Sequence, residues 1–171
     1  MIKNFVLMAS LCAALVSATI ATASEKNWTP PGYKIYGQVL SDDSMRANPD
    51  LLSITLHGVP PGLSGVYTMF AGSFPERIGN ADDPDDIDVI RKGITIVDPR
   101  WNRENDAVPK FVVLAPMRNA NGDNIGLVVY AFKVAERSNR HERLLYARAL
   151  KLRDELARRI PSYDALFDAV K

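Results

Sequence analysis

The stretch from Lys110 to Lys133 most constrains this fold. Two apolar arms, Phe111 to Met117 and Ile125 to Phe132, flank the polar loop Asn119 to Asn124. Asn121 and Gly122 in that loop tolerate the positive φ that a tight reversal requires, so the arms are predicted to pair as a β-hairpin. A strand exposed on one face alternates apolar and polar residues. Here Val112 and Leu114 fall on one face, Val113 and Ala115 on the other, and all four are apolar. The sheet containing this hairpin therefore needs cover on both sides.

The N-terminus is read as an export leader. Lys3 precedes an apolar run from Phe5 to Val16, broken by Ser10, and small residues follow up to Ala21, Thr22 and Ala23. This is the signal-peptide pattern, with cleavage expected after Ala23 and a periplasmic destination. The competing reading is a retained anchor, since Phe5 to Ala23 approaches the ~20 residues that span a bilayer. Cys12 follows Leu11 rather than a small residue, which argues against lipidation.

Removing 23 leader residues from the 171-residue chain leaves 148, expected to form one domain over 24–171. The chain has 21 basic and 20 acidic side chains, and losing Lys3 balances them, so there is no nucleic-acid footprint. Cys12 is the only cysteine, which excludes disulfides and cysteine metal sites from the mature chain. Stability must come from a packed core, and a chain of this length can bury about two thirds of its unfolded surface.

A Pro-rich segment from Trp28 to Gly32 precedes a predicted helix over Tyr33 to Arg46, ended by Asn48, Pro49 and Asp50. Leu51 to His57 alternates as a strand, with Leu52, Ile54 and Leu56 on one face. Pro60, Pro61 and Gly62 make a turn, and Val66 to Phe74 is rich in β-branched and aromatic residues, as a second strand would be.

The acidic run Asp82, Asp83, Pro84, Asp85, Asp86 offers carboxylates of the kind hard cations take, but it reads better as a helix start. Asp83 would be the cap and Pro84 the first residue, with Asp85 and Asp86 at the positive end of the dipole and Gly93 the stop. Ile94 to Val97 is a short strand. The last long element is a helix from Asn139 to Arg159, capped by Ser138, with Leu145, Ala149, Leu152, Leu156 and Ile160 as its apolar stripe. Asp154 with Arg158 and Glu155 with Arg159 are spaced for ion pairs on its outer side. Pro161 and Ser162 open a short helix over Tyr163 to Val170.

This order of elements is that of an α+β, PAS-like fold: a five-stranded antiparallel sheet flanked by helices. Arg77, Ile78 and Gly79 followed by Asp82 to Asp86, then Phe111 to Met117, Gly122 and Ile125 to Lys133, resemble the extracytoplasmic Cache or PDC sensor domains. The resemblance covers most of residues 33–171. It implies a small-molecule site between the sheet and the segment joining the second and third strands, here Phe74 to Arg91. It also implies a stand-alone periplasmic sensor acting through a partner such as a membrane receptor. Amino-acid-binding members separate their Arg and Trp by one residue, whereas Arg100 and Trp101 are adjacent, so that ligand class is not carried over.

A PAS-like pocket would be mainly apolar and aromatic with a few orienting polar groups. Tyr67, Met69, Arg77, Arg100, Trp101, Met117 and Tyr130 supply that mixture and are the candidate ligand-binding residues. No catalytic residue, metal site or cofactor is expected. The two histidines, His57 and His141, have no cysteine partner for zinc. Ser53 with His57 lacks a nucleophile-elbow phrase. Non-covalent haem held by His57 with Met69 or Met117 is the sharper alternative to a ligand module, and a protein-interaction accessory with a filled core is the plainer one.

Overall fold

The computed structural model describes residues 25–98, 109–134 and 138–170. The expected export leader over residues 1–23, Arg100 and Trp101 lie outside these residues. Among the described residues, no helix is long and apolar enough to cross a membrane.

The described residues form an α+β fold, with a five-stranded antiparallel sheet and three α-helices. In chain order these are α1 (Tyr36–Ala47), β1 (Leu51–Gly58), β2 (Thr68–Gly72), α2 (Pro84–Lys92), β3 (Ile96–Val97), β4 (Lys110–Arg118), β5 (Asn124–Lys133) and α3 (Asn139–Ala157). The strands lie in the order β2-β1-β5-β4-β3. The expected hairpin is β4 and β5, paired from Lys110 with Lys133 to Arg118 with Asn124. Its loop is organised by Asn119, whose side-chain oxygen accepts the backbone N–H of Asn121 and of Asp123, while Gly122 takes φ +87°.

Both faces of the sheet are covered, as the doubly apolar arms require. On one side α1 and α3 bury Leu40, Leu145, Ala149, Leu152 and Leu156 against Ile54, Leu56, Val113, Ala115, Val128, Tyr130 and Phe132. On the other, Val89 of α2 packs with Val112, Leu114, Leu127, Val129 and Ala131. The second cover comes from the segment between β2 and β3, while α1 joins α3 on the first face.

Local signals place most helix ends. Asp83 and Asp86 form a reciprocal capping box with Pro84 at the first position, and Gly93 closes α2 in the left-handed region at φ +65°. Ser138 accepts the backbone N–H of His141 at 3.3 Å. The terminal segment is a shorter 3₁₀ turn, Asp164–Phe167, than the helix expected from Tyr163 to Val170. The expected pairing of Glu155 with Arg159 is not made: α3 ends at Ala157, which takes Arg159 off the helical register, and it reaches Asp43 of α1 at 2.6 Å. Asp154 is held by the neighbouring Arg153 at 2.7 Å rather than by the Arg158 side chain.

β2 is shorter than the predicted Val66 to Phe74, and its pairing with β1 slips between Leu56 and His57. Leu56 sits opposite Ala71 while His57 sits opposite Met69, so Phe70 is the extra residue of a bulge. The bulge lets Phe70 and Ala71 both enter the α1/α3 core. Beyond β2, residues 79–82 run along the outer edge: Gly79 N–H donates to Met69 O, Met69 N–H to Asn80 O, and Asp82 N–H to Tyr67 O. Lys26 bridges to Asn80 beyond that.

Candidate functional site

The face of β1 under α2 carries Ser53, Thr55 and His57, because side chains two apart share a face. His57 is nearly sealed, with 9% of its side chain exposed. Its Nδ1 lies 2.7 Å from Asp82 Oδ1 and its Nε2 lies 2.7 Å from Thr55 Oγ1. Asp86 Oδ2 is 4.0 Å from the same Nδ1. The Asp82 side chain is 0% exposed and that of Asp86 8%. Asp82 arrives on the edge segment 79–82, and Asp86 from the first turn of α2. Three separate elements thus converge on one imidazole.

The charges do not balance within this cluster. A carboxylate can only accept, so Nδ1 donates its proton to Asp82. Burial disfavours the imidazolium, but the Asp82 carboxylate and its hydrogen bond, with Asp86 behind, outweigh it and hold His57 above its ordinary range. Burial pushes the Asp86 carboxyl up to about 6, with the His57 charge working against the rise and the Asp82 charge adding to it. Asp86 Oδ2 accepts the Asp83 N–H at 3.2 Å, whereas Asp86 Oδ1 and Asp82 Oδ2 are buried with no hydrogen-bond partner. Each such atom forgoes roughly 1–3 kcal/mol of solvation.

Hydroxyl, imidazole and carboxylate are connected in the order of a nucleophile, its base and an orienting acid. Thr55, however, lies mid-strand beneath α2 at 7% exposure, between Gly72 on one neighbour and Val129 on the other. Its Oγ1 is already engaged by His57 Nε2 at 2.7 Å.

A groove of about 450 Å³ opens beside this cluster, lined by Val59, Tyr67, Ile90, Arg91, Asn124, Ile125, Gly126 and Tyr163. The Tyr67 carbonyl receives the Asp82 backbone N–H at 3.1 Å, and the Tyr163 hydroxyl donates to Val59 O at 2.9 Å. Burial, and secondarily the Asp82 charge, raise the Tyr163 phenol well above its usual range. A second recess of about 410 Å³ lies between β3 and the start of α3, lined by Thr95, Val97, Phe111 and Tyr146 among others. Asn139, Glu142 and Arg143 of α3 supply its polar and charged lining.

Of the seven expected ligand-binding residues, Arg100 and Trp101 lie outside the described residues, and the other five are dispersed. Tyr67 lines the groove. Met69 is buried opposite His57, and Arg77 is exposed, its guanidinium 5.4 Å from the Phe74 ring centroid. Met117 and Tyr130 stand on the opposite side of the sheet in the α1/α3 core, at 0% and 1% exposure, and offer no surface to a ligand. The sheet also separates Met117 from His57, whose ring nitrogens both already have partners. Arg91, Asn124 and Tyr163 were not anticipated. The clue to the cluster was present in the spacing of Asp82 and Asp86 and in a histidine amid a hydroxyl-bearing strand face; nothing local joins the two.

Gly79 holds the edge segment in place. It takes φ +89°, and a Cβ there would lie 2.1 Å from the Trp28 carbonyl oxygen, which leaves no room for a side chain. Gly79→Ala is expected to cost roughly 2–3 kcal/mol in urea unfolding, because both the backbone conformation and the close approach are lost. The same substitution displaces Asp82 from His57, which the His57 imidazole resonances would report.

No protein-family model matches the chain, and no curated protein matches it. Among solved structures, the Agobacterium tumefaciens repressor BlcR aligns at 13% identity and TM-score 0.48, over 74% of this chain and 67% of its own. The type II free methionine-R-sulfoxide reductase from Thermoplasma acidophilum aligns at 14% identity and TM-score 0.43, over 71% and 89%. The C-terminal domain of the E. coli regulator KdgR aligns at 11% identity and TM-score 0.45, over 74% and 97%. Likeness at this level carries no argument about function.

Proposed function

We propose that the chain is an extracytoplasmic binding module of the PAS-like, Cache/PDC kind, exported by residues 1–23. It takes a small molecule in the groove beside α2 and acts through a partner protein such as a membrane receptor, without a catalytic step. The element order and the α+β sheet with helices on both faces support the PAS-like reading. The observation that carries the binding reading is the groove itself. It combines the aromatic walls Tyr67 and Tyr163 with one cation, Arg91, and one amide, Asn124, a mixture suited to orienting a ligand with an apolar body and an acidic group. Ile90 and Arg91 belong to the segment between the second and third strands, where the Cache resemblance places a ligand. The burial of Thr55 among the sheet and α2 supports a non-catalytic role.

Native mass spectrometry of protein purified from its own periplasm tests this reading. A reproducible bound small mass is expected, and it is expected to be lost in Tyr67→Ala and Arg91→Ala while both variants stay folded. A ligand-free protein that shows no thermal shift across a library of carboxylates and amino acids would sink it. The second reading, a protein-interaction accessory without a pocket, is favoured by the filled core around Tyr130 and Met117 and would then take its place.

A further inference from the structure

We propose that His57, Asp82 and Asp86 form a binding site for one divalent transition-metal ion, separate from the groove and its ligand. Their donor atoms lie within 4.8 Å of one another, and two of the carboxylate oxygens, Asp82 Oδ2 and Asp86 Oδ1, are buried without a partner. The capping role explains Asp83 and one oxygen of Asp86, but not these two. They are acceptors turned away from water with no donor to meet them, on the two carboxylates whose other oxygens face the imidazole, so each buried carboxylate has capacity left for a cation.

The donor set selects the metal. Calcium and magnesium favour shells of six or more oxygens, whereas one imidazole nitrogen with two carboxylates suits zinc or a neighbouring first-row ion. A neutral imidazole and two carboxylates carry two negative charges, which a divalent ion neutralises. Nδ1 is the ring atom that faces both carboxylates, so the metal takes the position of the Nδ1 proton, which leaves to solvent. The remaining proton sits on Nε2 and is donated to Thr55 Oγ1 at 2.7 Å, which fixes the ring's tautomer and orientation as an outer partner of a metal-binding histidine does. Bonds of about 2.0–2.2 Å set the donors of a tetrahedral ion roughly 3.3–3.6 Å apart, so Nδ1 and Asp82 Oδ1, now at 2.7 Å, part to admit the ion while Asp86 Oδ2, at 4.0 Å from Nδ1, draws in.

The test strips the full chain with a chelator, dialyses it against Zn²⁺ or Mn²⁺, and counts bound metal by mass spectrometry. About one ion per chain is expected, with a melting point raised by several degrees at a hundredfold excess over Kd. Asp82→Asn and Asp86→Asn keep an acceptor oxygen and the side-chain shape, and each is expected to weaken binding by more than ~100-fold; Thr55→Val should weaken it about 10–100-fold. If a variant fails to fold, imidazole ¹⁵N spectra of the unmodified chain decide the matter. A metal-dependent shift at His57 with His141 unmoved supports the site. A folded chain that retains neither metal, a shift confined to His141, or unchanged binding in folded Asp82→Asn/Asp86→Asn protein overturns it.

Discussion

His57→Ala is expected to lower the unfolding free energy by roughly 3–5 kcal/mol in chelator-containing buffer at neutral pH, the usual cost of removing one partner from a buried ion pair. The imidazole is the donor that meets Asp82, at 2.7 Å, and the charge nearest Asp86, at 4.0 Å. Without it, two carboxylates face each other in a site shielded from water by α2, the edge segment and the sheet. A second change makes the cause visible. In the His57→Ala background, Asp82→Asn is expected to recover part of the loss, because it removes a charge that no longer has a counterpart. In the unmodified protein the same Asp82→Asn change should be destabilising. That opposite sign is a coupling energy, read from a double-mutant cycle in urea. A His57→Ala cost below about 1 kcal/mol would mean that water reaches the cluster, and the account of its burial would fail.

Tyr130→Ala carries the second large effect, about 3–5 kcal/mol, the range for truncating a large aromatic side chain in a core. Tyr130 lies on β5, paired with Ile54 on one side and Val113 on the other, and its ring sits 6.4 Å from that of Phe132. The cavity left by truncation would be enclosed by α3 and both neighbouring strands. Tyr130→Phe retains the packing and should change stability by no more than about 1 kcal/mol. Burial holds the phenol far above its usual pKa, so it stays protonated throughout. Calorimetric melting of the two variants distinguishes a core residue from a pocket wall. A small loss in Tyr130→Ala together with altered ligand binding would return Tyr130 to the pocket. Tyr67→Ala is the contrasting case: on the rim of the groove, it should disturb ligand retention far more than stability.

The difference between these two tyrosines shows where pattern reading stops. Both looked like pocket residues because both are amphipathic aromatics on predicted strands. Alternation does place Tyr130 opposite Val129 in facing, but it does not say which face receives α1 and α3 and which receives α2. That choice rests on how the chain crosses between strands, and it put Tyr130 and Met117 in a filled core. The acidic run was half legible for the same reason. Asp83, Pro84 and Asp86 form a local cap whose signal lies within four residues. The meeting of Asp82 with His57, 25 residues apart in the chain, depends on a bulge in β2 and on an edge segment anchored by Gly79.

By itself, the sequence determined the features governed by short-range physics. These are the β4–β5 hairpin with its Asn and Gly turn, the need for cover on both faces, the buried stripe of α3, and the start and stop of α2. Each follows from side-chain periodicity or from the backbone preferences of a few adjacent residues. Only the tertiary structure decided which helices cover which face, where a groove opens, and that His57, Asp82 and Asp86 share one buried space. Those outcomes depend on contacts between residues far apart in the chain. No local preference encodes them, because the free energy that selects them arises from burying whole elements against one another.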